Sequence, residues 1–109
     1  MADTLKVLGQ AAPAATTETD LYTVPSSTSA VISTITVANR SATAATFRIS
    51  ISVAGASTAN KDYIYYDVVI AGNDTFAATL GVGIATTDKV RVFASTANLS
   101  FSAFGVELT

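Results

Sequence analysis

The chain has 109 residues, six basic and eight acidic, a formal net charge of −2, no histidine and no cysteine. That is the size of one domain, and without cysteine neither disulfides nor thiolate metal sites hold it together. Charged residues make up 13% of the chain, about half the usual ~25% share, and the scattered Lys6, Arg40, Arg48, Lys61, Lys89 and Arg91 form no patch that would displace counterions from phosphates, which argues against nucleic acid as a partner.

No apolar run approaches the ~20 residues of a membrane-spanning helix. The start, Met1 to Lys6, lacks the basic and apolar regions of a signal peptide, so the expected site of synthesis is the cytoplasm, with no membrane partner. Thr4–Leu8 reads as a short strand. Gly9 to Asp20 is poor in bulky side chains and interrupted by Pro13, and reads as an extended arm ordered mainly by a neighbouring subunit. Leu21–Val24 is a strand stopped by Pro25 and the serine-rich turn behind it. Val31–Ala38 is rich in Val, Ile and Thr, which suit a pleated half-buried surface. Phe47–Val53 alternates cleanly, with Phe47, Ile49, Ile51 and Val53 on one face and Arg48, Ser50 and Ser52 on the other. Tyr63–Ile70, Thr75–Leu80, Lys89–Ala94 and Leu99–Leu108 complete the set.

Eight short strands with regular turn signals and no 3.6-residue periodicity predict an all-β domain. The expected architecture is a single antiparallel β-sandwich over 21–109, jelly-roll or immunoglobulin-like, preceded by an N-terminal strand and extended arm over 1–20. Antiparallel pairing follows because no helical crossovers are available. The period-two pattern assigns the core to Val31, Ile35, Val37, Phe47, Ile49, Ile51, Val53, Ile64, Tyr66, Val68, Ile70, Leu80, Val90, Val92, Leu99 and Phe101. In the last strand Leu99, Phe101 and Ala103 share one parity while Phe104, Val106 and Leu108 take the other. Either a bulge near Ala103, eased by Gly105, realigns them, or both faces are covered, one by the core and one by a partner.

The chemistry of catalysis is thinly represented. Histidine is absent, and with it the commonest general base and metal ligand. Lys6, Lys61 and Lys89 sit at strand starts or turns beside solvent, where nothing desolvates them into catalytic bases. Asp62, Asp74 and Asp88 flank turns, where aspartate accepts backbone hydrogen bonds. Asp67 lies mid-strand and is placed to pair with a cation on the neighbouring strand. The Asn73–Asp74 pair lacks the spacing of a calcium loop, and the Gly81–Gly83 segment lacks that of a phosphate loop. Asn39, Asn73 and Asn98 match the glycosylation triplet, as chance allows in so Ser/Thr-rich a chain. No enzyme, cofactor or metal site is expected.

The clearest binding feature is the strand from Tyr63 to Ile70. Simple alternation places Tyr63, Tyr65, Asp67 and Val69 on one face and Ile64, Tyr66, Val68 and Ile70 on the other. Both faces are largely apolar, so one of them suits a partner, and tyrosine suits an interface because one end is apolar while the other hydrogen-bonds. With Pro13, Phe104 and Val106 these residues form the expected interaction set. Tyrosines on a strand also stack sugars, although tryptophan, the favoured platform, is absent.

Leu5 to Gln10, Thr19 to Pro25 and Ala71 to Phe76 resemble segments of small virion structural proteins of tailed phages, notably cyanophages and other marine phages. The resemblance covers most of the chain and its motifs are structural. It implies a virion component that binds phage structural proteins. By analogy with other small β-sandwich proteins the expectation is a head decoration (cement) protein on the major capsid protein, homo-oligomeric, with a trimer favoured. A tail, neck or fibre-associated component, including a receptor- or carbohydrate-binding module, is the alternative.

Overall fold

The computed structural model describes residues 3–109. Eight strands follow one another: β1 (Asp3–Ala11), β2 (Thr19–Thr23), β3 (Ser29–Asn39), β4 (Ala45–Ser52), β5 (Tyr63–Ile70), β6 (Thr75–Ile84), β7 (Lys89–Ala94) and β8 (Leu99–Leu108). They form two four-stranded sheets, β1-β8-β3-β6 and β2-β7-β4-β5, and every pairing is antiparallel. The expected all-β antiparallel sandwich is therefore present.

The strands end where the backbone must turn sharply. Ser27, Asn73 and Thr87 take positive φ in the turns after β2, β5 and β6. Gly72 lies against the chain between β3 and β4, where a β-carbon would stand 2.1 Å from the Ala42 carbonyl oxygen. Asn39 closes the same corner. Its amide nitrogen donates to the carbonyls of Thr43, Ile70 and Ala71 at 2.9, 3.4 and 3.2 Å, so the first glycosylation triplet has its nitrogen committed inside the fold. The turn aspartates accept backbone hydrogen bonds as expected: Asp62 from Ala59, Asp74 from Thr75, and buried Asp88 from both Ala54 and Ala85.

The core lies between the sheets. Ile32, Ile35 and Val37 from β3 and Leu99, Phe101 and Ala103 from β8 meet Phe47 and Ile49 from β4 and Val90 and Val92 from β7. Phe47 occupies the crossing, with ring centroids 5.2 Å from Phe76, 6.2 Å from Phe101 and 6.4 Å from Tyr65. Of the expected core, Ile35, Val37, Phe47, Ile49, Ile70, Val90, Val92, Leu99 and Phe101 are buried, and Ile51, Val68 and Leu80 are half-buried against it. Val31, Val53, Ile64 and Tyr66 are exposed instead.

Bulges account for most of these reversals. In β3 the register shifts at Ser33, so Ala30 and Ile32 face inward and Val31 outward. In β5, Tyr66 and Asp67 together oppose Arg48, and Asp67 takes φ +52°. The extra residue turns Tyr65 toward the core along with Val68 and Ile70, and leaves Tyr66 outside. Tyr65 thus does not share a face with Val69. Val53 has left the sheet for a single 3-10 turn, residues 53–55.

The expected bulge in β8 is also displaced. Leu99, Phe101, Ala103 and Gly105 are buried in unbroken alternation. The extra residues sit in its neighbours, Leu8 of β1 and Ser33 of β3. β1 also runs further than expected and takes up Gly9 to Ala11. Beyond it Pro13 is buried, and the Thr16 amide donates to the Ala94 carbonyl at 2.8 Å, so the segment between β1 and β2 rests on its own chain.

Candidate functional site

The two outward faces differ sharply. On the second sheet the outer side chains satisfy one another. Arg48 stacks between the rings of Tyr66 and Phe93, 4.2 and 4.5 Å from their centroids, and donates to the Asp67 carboxylate at 2.7 and 3.4 Å. This is the cross-strand ion pair expected of Asp67, and the hydrogen bond from Arg48 to it raises the already high guanidinium pKa. Asp20 accepts from Lys89 at 2.9 Å and Arg91 at 3.0 Å. The Lys89 bond is the largest influence on its carboxyl, and although burial opposes it, that bond together with Arg91 holds the carboxyl below its usual range. Arg91 also reaches the Ser52 hydroxyl and the carbonyls of Gly55 and Ala56 at 3.0, 3.1 and 2.6 Å. It ties the loop after β4 over Ser50 and Ser52, which explains why these outward serines are buried. Cations already engaged in this way make a poor anion site.

Beside this network Tyr63 and Tyr66 meet edge to face at 4.9 Å. With Asn60 they line a shallow cleft of about 480 Å³. Tyr63 is half-buried, Tyr66 is 56% exposed and Val69 stands free further along the edge strand.

The outward face of the first sheet has no such network. Pairing places Leu5, Val106 and Val31 in one cross-strand row and Val7 and Phe104 in the next. Leu5 is 82% exposed, Val7 48% and Val31 37%, while Phe104, Val106 and Leu108 are half-buried. Among the described residues, Asp3 at the end of β1 is the only charged side chain at an outward position of these strands. Lys6 and Glu107 have the opposite parity and pair with each other at 3.2 Å. Leu5, Val7, Val31, Phe104 and Val106 thus form a contiguous, charge-poor apolar patch.

The sequence-predicted set thus divides. Tyr63, Asp67 and Val69 lie on or beside the outer face of β5, Tyr65 lies inside, and Pro13 is buried between β1 and β2. Phe104 and Val106 sit at the centre of the first-sheet patch. Leu5 and Val7 were not among the expected residues, and Val31 was expected in the core. The signal for them was the second parity of β8, whose outward apolar residues need outward apolar neighbours. Phe93 was likewise missed as the second ring on Arg48.

A side-chain contact also joins β2 of the second sheet to β8 of the first. The Tyr22 hydroxyl donates to Glu107 at 2.6 Å. That bond, helped by Lys6 and opposed by burial, lowers the Glu107 pKa, while burial and then the Glu107 carboxylate raise that of Tyr22. A carboxylate with a lowered folded-state pKa adds stability above its unfolded value of about 4, and that stability is lost as pH falls through the folded value. The urea midpoint is therefore expected to drop as pH falls from about 5 to about 3, and Glu107→Gln to flatten part of that drop. A Glu107→Gln profile parallel to the parent would show that this contact carries no linkage.

Among the described residues, no group of three His, Cys, Asp or Glu side chains is placed to hold a metal ion. Nor, among the described residues, is any helix long and apolar enough to cross a membrane. Comparison of the chain with protein-family models, with curated proteins and with solved structures returns no match.

Proposed function

We propose that the chain is a jelly-roll virion structural protein that binds a phage head as a decoration protein and stabilises it. The observation that carries this reading is the charge-poor outward face of the first sheet, with Leu5, Val7 and Val31 exposed on it. A surface so poor in charge has little to desolvate when it is covered. The jelly-roll assignment is supported by the pairings β1 with β8, β2 with β7, β3 with β6 and β4 with β5. They are those of one long antiparallel ribbon folded over on itself, and they favour the jelly roll over the immunoglobulin-like alternative. Jelly rolls recur in viral capsid and lectin domains. The step from such a fold to a phage head is analogy joined to the sequence resemblance.

Within this reading the contact with neighbouring subunits is made by β1, an edge strand whose one buried residue is Leu8, and not by the segment behind it, which rests on its own chain. The partner is the major capsid protein, met through many weak contacts and no chemistry. The test is co-sedimentation of purified protein with particles that lack it. Saturation at hundreds of copies per particle, with binding weakened by Val106→Lys, is the expected result. Absence of binding, or saturation near a dozen copies, would move the protein off the head.

The cleft of Asn60, Tyr63 and Tyr66 favours a second reading, a receptor- or carbohydrate-binding component of the tail or fibre. Tyrosine rings offer faces for sugar C–H groups, and the Asn60 amide offers a donor and an acceptor for hydroxyls. Binding on a glycan array that is lost on Tyr66→Ala would establish it in place of the first.

A further inference from the structure

The outward face of the first sheet is a wedge. Leu5 on β1, Val106 on β8, Val31 on β3 and Gly83 on β6 form one row across all four strands. Val7, Phe104, Thr34 and Thr79 form the next. In the first row side-chain bulk falls from the β1 edge to the β6 edge, and in the second it is greater on β1 and β8 (Val7, Phe104) than on β3 and β6 (Thr34, Thr79). At the thin edge, a β-carbon added to Gly81 or Gly83 would meet nothing within 4 Å. Neither residue has positive φ, so the backbone itself does not require glycine there.

A two-fold axis parallel to the strands and lying above this face lays β1 of one copy over β6 of the other. Thick edge then meets thin edge, and the exposed Leu5 of each copy enters the space above Gly81 and Gly83 of its partner. A two-fold axis perpendicular to the strands stacks thick on thick and leaves a gap. The near absence of charge removes like-charge repulsion across the axis. Strands about 4.8 Å apart and ten residues rising about 3.3 Å each give a face of roughly 600 Å², so a pair buries on the order of 1,200 Å², enough for a specific interface.

We infer that this face pairs with a second copy of the same chain, β1 over β6, as a two-fold dimer. The inference rests on the reading of this face as an assembly surface and makes a second copy its occupant, so that the chain meets the capsid protein as a pair. Knob and shelf lie on one face, so the contact closes as a pair; the trimer expected from the sequence would need complementary patches on two different sides.

Sedimentation velocity across the micromolar range tests it, alongside circular dichroism to check folding and co-sedimentation with particles to read head binding separately. The parent chain is expected to dimerise. Gly83→Leu, whose β-carbon meets nothing within 4 Å in its own subunit, is expected to weaken the dimer at least about tenfold by filling the shelf, a change near 1.4 kcal/mol. Leu5→Ala is expected to weaken it by removing the knob. Combining Leu5→Ala with Gly83→Leu moves the bulk to the opposite edge and is expected to restore pairing beyond either single variant, a coupling that separate sites do not show. If Gly83→Leu fails to fold, Leu5→Lys reads the same contact from the other edge. A parent chain that stays monomeric throughout overturns the inference, as does a dimer indifferent to these changes or a double variant that is merely additive. A monomer that still binds particles, and loses that binding on Leu5→Lys, would defeat the self-pair while sparing the assembly surface. Particle binding indifferent to Leu5→Lys would remove the assembly surface itself.

Discussion

Phe47→Ala is expected to lower the unfolding free energy by about 3–5 kcal/mol, the range for removing a large buried aromatic side chain. Phe47 is fully buried on a central strand of the second sheet and is the ring on which three others converge, Tyr65 from β5, Phe76 from β6 and Phe101 from β8. Truncation leaves a cavity bounded by strands of both sheets, which hydrogen-bonding prevents from collapsing. Domains of this size are stable by only about 5–15 kcal/mol, so one residue accounts for a large share. Urea unfolding checks it, because a shifted midpoint at constant slope reports stability alone. Val69→Ala, on the exposed edge, is the control and is expected to stay within about 0.5 kcal/mol. A loss below about 1 kcal/mol for Phe47→Ala would contradict the placement of the core.

Gly105→Ala is expected to cost roughly 1–3 kcal/mol or more, in the manner of an overpacked core. An added β-carbon would stand 2.0 Å from the Val31 carbonyl oxygen and 3.0 Å from Leu8 Cδ1. The first of these neighbours is backbone in the central strand β3, so it yields only by shifting the strand. Gly83→Ala provides the opposite sign in the same sheet. Its β-carbon meets nothing, and the loss of unfolded-state freedom favours a gain of about 0.4–1 kcal/mol where the backbone permits alanine. Thermal unfolding of the two variants side by side decides it. Equal effects would mean that the close approach of Val31 to Gly105 is absent in solution.

Much of the sandwich was legible because four of the eight strands, β4, β6, β7 and β8, keep one side turned inward throughout. Lys89–Ala94 and Leu99–Phe101 show their inward sides directly, and in β4 Phe47 and Ile49 do so as well. Legibility failed where a bulge inserts a residue, because period two then changes parity in mid-strand. In β3 the run of Val and Ile on both parities hid the shift at Ser33, so Val31 was assigned to the core and Ile32 was not. In β5 the tyrosines look alike from either side, and nothing local marks Asp67 as the left-handed residue that turns Tyr65 inward.

The candidate surfaces were legible to the extent that β8 advertised them. Phe104 and Val106 carry the parity opposite to Phe101, and the alternative of a covered outer face is the arrangement in which they lie. The glycine at 105, expected to ease a bulge within β8, is required instead by the bulged β3 beside it. Leu5 and Val7 were obscured because β1 contributes a single buried residue and its pattern means little until β8 is laid beside it. The stack of Arg48 between Tyr66 and Phe93 depends on three strands that are distant in sequence, and no one-dimensional signal joins them.

A decoration protein that binds the intact shell in preference to its ruptured or disassembled state stabilises that shell by mass action. The face that carries the binding need only be large, weakly desolvated and present in many copies. The direct measurement is survival of particles after heat or osmotic shock, with and without the protein, at known copy number. Survival is expected to rise with occupancy, and the gain to be lost when Val106→Lys replaces the parent chain. Equal survival with and without the protein, together with a copy number near a dozen, would contradict it and place the chain at the neck or tail.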